Sequence, residues 1–143
     1  MRILVDADAC PVREIILREA KRRGIPVIMI IDTSHELHDD YSQVITVDKG
    51  RDSADFKLIS LLLPTDIVVT QDFGVAAMAL GKGARALNQN GMAYTAENMD
   101  RLLFERHLGQ KIRRGGGRTG NPRKRTPDDD RAFETELIRL LNQ

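Results

Sequence analysis

Tryptophan is absent from this 143-residue chain, cysteine occurs once, and aromatic side chains amount to 4% of the residues. The lone Cys10 can form neither an intramolecular disulfide nor a multi-cysteine zinc site, which suits a reducing compartment. No apolar run is long enough to cross a bilayer. The N-terminus enters a strand-like segment bearing aspartates, where a secretion signal would place a charged, then apolar, then small-residue pattern. A soluble, cytoplasmic protein with no membrane partner is the expectation. Strong net charge is missing too, since the chain sums to +1 at neutral pH, but that balance conceals a segregation. Residues 111–125, KIRRGGGRTGNPRKR, hold seven basic side chains and no acid, which leaves the other 128 residues at −6. An acidic body with a concentrated, glycine-rich basic stretch points to a polyanionic partner, nucleic acid being the commonest, although a solvated linker has the same composition.

The length suits one domain with a real core. Apolar runs RILV (2–5), PVIMII (26–31), QVITV (43–47), DIVVT (66–70) and ARAL (84–87) alternate with helical patterns. The first, second and fourth are nearly continuous in apolar character, as strands buried on both faces are. Pro11 suits a first helical position, and the helix after it stops at Gly24. SADFKLISLLL ends at Pro64, FGVAAMALG at Gly81 or Gly83, and Thr95 can cap AENMDRLLFERHLG. The alternation predicts an α/β fold with a mostly parallel central sheet of about five strands, covered by helices as a three-layer α/β/α unit. Residues 1–110 form that domain and 111–125 a tethered basic loop. Residues 126–143 form a last helix, with Thr126 as cap and Pro127 at its first position; its apolar face must dock on the body or on a second copy in a homodimer.

In open parallel sheets, ligands bind outside the carboxyl ends of the strands, near the point where strand order reverses. Asp6 and Asp8 follow the first run, Asp48, Asp52 and Asp55 the third, and Asp72 the fourth, so three strands deliver acids to one edge. With the first and fourth strands adjacent, Asp6 and Asp72 face each other across the switch point. Hard oxygen ligands of this kind suit Mg²⁺ or Mn²⁺, which would neutralise acids that otherwise repel one another. The chemistry such a site favours is cleavage of a phosphodiester. Free N–H groups at the start of the helix near Pro11 add to the same edge.

Each acid has a plainer explanation, because aspartate is a common turn and cap residue. Asp52 can simply cap the second helix, and Asp66 lies at the opposite edge as a turn residue. The coincidence across three strands outweighs these separate explanations. Thr70 is a candidate to orient water or phosphate, with Ser53 and Gln71 weaker ones. Cys10 beside carboxylates reads as a small buried residue, since acids raise a thiol's pKa. His35 and His38 in HELH lack further zinc ligands. His107 near a helix end favours the dipole there. Arg113, Arg114, Arg118, Arg123, Lys124 and Arg125, with glycines letting the backbone come close, are candidates to grip a phosphate backbone. With four Phe and two Tyr, contacts to phosphate and shape should outweigh base reading.

The blocks DADACPV (6–12), GRDSADFKL (50–58), IVVTQDFGVAAMAL (67–80) and RRGGGRTGNP (113–122) with DDRAF (129–133) resemble the YaiI/YqxD family of uncharacterised bacterial proteins, whose fold is placed among PIN-like nuclease domains. The likeness runs nearly end to end, with Asn121 standing where a second glycine is expected. It implies a Mg²⁺- or Mn²⁺-dependent nuclease, RNA favoured, in which Asp6 and Asp72 are the strand-end acids. Asp52 or Asp55 would be the helical acid, and Asp8 an extra carboxylate of this family. On that basis Asp6, Asp8 and Asp72 are the catalytic candidates, and Asp52 and Asp55 join them as metal ligands. Two alternatives stand beside it. One is a non-catalytic nucleic-acid-binding module. The other is a haloacid-dehalogenase-like phosphatase using Asp6 as nucleophile, although that pattern expects Thr or Val where Cys10 stands.

Overall fold

The computed structural model describes residues 1–33, 36–50, 52–116 and 123–143. Five strands, β1 (Ile3–Asp6), β2 (Val27–Asp32), β3 (Gln43–Val47), β4 (Ile67–Val69) and β5 (Arg85–Leu87), form one sheet in the order β3-β2-β1-β4-β5. Every pairing is parallel, with Leu4 opposite Ile28 on one side and Val68 on the other. The strand order reverses at β1, so β1 and β4 are neighbours as the sequence predicts.

Side chains alternate across each strand. Ile3, Val5, Met29, Ile31 and Val69 point to one face, where α1 (Arg13–Arg23) and α5 (Pro127–Leu141) cover them with Ile16, Phe133 and Leu137. Leu4, Ile28, Ile30 and Val68 point to the other, under α2 (Ser53–Leu61), α3 (Phe73–Gly81) and α4 (Ala96–Arg114). The result is a three-layer α/β/α unit. Among the described residues no helix is long and apolar enough to cross a membrane.

The caps follow the expected chemistry with two departures. Thr95 and Asn98 make a reciprocal capping box at α4, and at α5 the Thr126 N–H donates to Asp129 Oδ2 at 2.8 Å. Pro11 does not open α1; it precedes Val12, and the helix begins at Arg13 without a side-chain cap. The helix expected to stop at Gly109 instead runs through Arg114, so Lys111, Arg113 and Arg114 are helical and the boundary at 110 falls inside α4. One interior glycine costs only about 1 kcal/mol, and basic residues in a last turn favour the dipole, so good helix formers on both sides carry the helix across. Arg118, Asn121 and His35 lie outside the described residues.

At the amino edge of the sheet the Arg2 guanidinium donates twice to Asp66, Nη2 to Oδ2 at 2.7 Å and Nε to Oδ1 at 3.1 Å. Asp66 is 1% exposed and also accepts the Leu63 N–H, so this acid is a structural anchor at the opposite edge, as its position predicts.

Candidate functional site

At the carboxyl edge, β1 delivers Asp6 and the turn after it Asp8. Thr70, 2% exposed just past β4, sits between the strands: its hydroxyl reaches Asp6 Oδ2 at 3.4 Å and accepts the Asp72 N–H at 3.0 Å. Asp72 caps α3, its Oδ1 accepting the Val75 N–H at 3.0 Å. A Cβ on Gly74 would stand 3.1 Å from that oxygen, so the glycine leaves the carboxylate its room. Behind them the buried Tyr94 hydroxyl donates to the Thr70 carbonyl at 3.1 Å, and burial together with Asp72 pushes the phenol up to about 12.

Asp8 Oδ1 accepts the Asp32 N–H from the end of β2 at 3.3 Å, bringing a fourth strand to the edge. Asp55 rises from the first turn of α2, and its carboxyl is held above the ordinary range by burial and by the charges of Asp72 and Asp52. Asp52 precedes it with φ +67, a left-handed conformation unusual for a side-chain-bearing residue, and makes no capping bond.

These acids feel one another. Burial foremost, then Asp55 and Asp8, raise Asp6 to about 6 against the opposing pull of the Thr70 hydroxyl. A carboxylate that resists ionisation beside three others is the environment a cation relieves. The five predicted ligands nevertheless do not close on one point. Asp6, Asp8 and Asp72, with Ala9 and Gln71, line a cleft of about 350 Å³, while Asp52, Asp55 and Asp72 border a second of about 460 Å³. Among the described residues no three His, Cys, Asp or Glu side chains converge closely enough to hold an ion as they stand. Asp8 and Asp72 are each held by a backbone N–H, that of Asp32 and that of Val75. The donor set itself, carboxylates only, fits a hard divalent cation.

Other candidates stand apart. Ser53 and Asp48 line a groove beside β3 with Lys57, and neither lines the two clefts bordered by Asp6, Asp8, Asp52, Asp55 and Asp72. Arg125 is engaged within the protein, donating to Asp130, to Asn90 and to the Gln89 carbonyl, and Arg123 pairs with Asp129 at 2.7 Å. Both tie down the start of α5. Lys124, Arg113 and Arg114 are exposed. Cys10 is buried and its thiol pushed up by burial, in keeping with a core residue. Asp32 and Tyr94 were not singled out by sequence; a strand-terminal acid at the end of PVIMII was the available signal for Asp32.

An open, all-parallel α/β sheet with acids from separate strands gathered at its carboxyl edge defines the class of protein. Within it, the chain belongs to the family described as "Uncharacterized BCR, YaiI/YqxD family", which it matches over residues 4–143. It is 70% identical to a UPF0178 protein of Ruminiclostridium cellulolyticum, over 99% of this chain and 92% of that one. It is 56% identical to a UPF0178 protein of Alkaliphilus oremlandii, over 100% and 92%. The crystal structure of a mutant of Rae1 (YacP) from Bacillus subtilis is similar at 17% identity and a TM-score of 0.47, over 99% of this chain and 97% of that one.

Proposed function

We propose that the protein is a divalent-metal-dependent nuclease with a PIN-like site that hydrolyses phosphodiesters, RNA being the favoured substrate. The observation that carries this is the gathering of Asp6, Asp8, Asp55 and Asp72 at the carboxyl edge, where burial first and the neighbouring charges second raise Asp6 to about 6. Asp6, Asp8 and Asp72 would hold Mg²⁺ or Mn²⁺, with Asp52 or Asp55 at its margin. When bound, the ion supplies charge stabilisation to the phosphodiester and a water of lowered pKa.

The chain's own residues do the rest. Thr70 spans Asp6 and the Asp72 backbone, so it sets the spacing of the two strand-end acids, and Tyr94 fixes Thr70 from behind. The exposed basic residues Arg113, Arg114 and Lys124 attract the phosphate backbone without reading bases.

The deciding experiment incubates purified protein with fluorescent single-stranded and structured RNA in Mn²⁺ and in EDTA. Cleavage in Mn²⁺ alone, lost in Asp6→Asn and Asp72→Asn, is the expected result. Cleavage that survives both substitutions means a contaminant. Binding without cleavage, lost when Arg113 and Arg114 are neutralised, makes the protein a non-catalytic module.

A further inference from the structure

The cleft between α2 and α3 changes character along its length. Asp52, Asp55 and Asp72 stand at its upper end. One turn further, Phe56 and Ile59 on α2 face Val75 and Met78 on α3, and Arg106 of α4 also borders the space, about 460 Å³ in all. Phe56 is 72% exposed and Met78 55%, so two large apolar side chains are left to water beside a row of acids. Exposed apolar surface rimmed by charge marks a binding site more often than chance.

Acid at one end and hydrocarbon below it select a ligand built the same way: a charged group held at the acids through a cation, attached to a flat apolar group. We propose that this cleft is a subsite for one unpaired nucleobase, the neighbour of a phosphate held at the acidic edge. The Phe56 ring is the stacking platform, Met78 the facing wall, and Arg106 the cation for the next phosphate. The inference rests on the phosphodiester reading of the acids and adds the strandedness of the substrate. A base is neutral and enters between carboxylates without repulsion, whereas a duplex keeps both faces of each base stacked and its edge paired. Stacking tolerates any base, so the subsite selects single strands and not a sequence.

The absence of tryptophan makes the test clean, because Phe56→Trp introduces a sole indole at an exposed position. In Mg²⁺, its emission is expected to be quenched saturably by a single-stranded RNA hexamer, and not by the same sequence as a duplex or by heparin. Phe56→Ala and Met78→Ala should each weaken binding of a labelled single strand about tenfold. Absent quenching, or equal quenching by duplex or heparin, overturns the subsite. Mn²⁺-dependent cleavage by the unmodified protein, scored in parallel, separates the two ideas: cleavage without quenching removes the subsite and leaves the nuclease, and quenching without cleavage does the reverse.

Discussion

Asp6 carries a cost that burial imposes first and its acidic neighbours add to. A carboxyl raised to about 6 in the folded state takes up a proton more readily there than in the unfolded chain. Its contribution to stability is therefore fully present below about pH 4, declines as pH rises through about 6, and stays lost above. Asp6→Asn removes the repelled charge, so urea unfolding at pH 8 should find the variant about 1 to 2 kcal/mol more stable, the gap closing by pH 4. Mn²⁺ uptake, followed by calorimetry, should weaken as the pH drops below about 6 in the unsubstituted protein and be missing in Asp6→Asn. Asp66 makes the opposite case. Its side chain is fully buried against Arg2, and Asp66→Ala should cost about 3 kcal/mol in the same measurement, because it strands a guanidinium at the sheet edge. The placement of Asp6 and Asp72 at one edge was legible because position along a strand dictates which edge an acid reaches. The contacts of Arg123 and Arg125 were not, because a charged residue's partner is chosen by tertiary contact, which composition does not show.

The strands could be read with little error because burial on both faces demands continuous apolar character, and the caps at Thr95 and Thr126 because their hydrogen-bonding chemistry is local. The end of α4 was hidden, since Gly109 looks like a terminator while its cost is small against the helix around it. The turn at 88–91 shows another constraint invisible in sequence. A Cβ on Gly91 would stand 2.5 Å from the Ala132 carbonyl oxygen of α5, at a φ of +87 that a larger residue tolerates poorly. Gly91→Ala should therefore lower stability by about 2 kcal/mol or more in chemical denaturation, pushing α5 off the core face it covers. Gly24, with open space around it, serves as the contrast: substitution there strains only its own backbone.

Across the whole molecule, an acidic body and a basic segment predict association that depends steeply on salt. Neutralising Arg113 and Arg114 should reduce the slope of log binding constant against log salt by about 1.4 for a single-stranded ligand, with little change in sequence preference. The layer architecture was readable from alternation of apolar runs, and the adjacency of β1 and β4 from the usual way such sheets wind. What alternation could not supply was where side chains settle within the edge, which depends on local N–H donors. The earliest strand lies in the middle of the sheet, joined on one side to residues 27–30 and on the other to residues 67–69. Neither partnership forms by zipping outward from a tight turn, so closure must await distant segments and be slow. Because Asp6 is the last residue of that central strand, loosening it dismantles the hydrophobic interior and the acid cleft in the same cooperative event; hydrogen exchange at Leu4 and Val5 would report both at once.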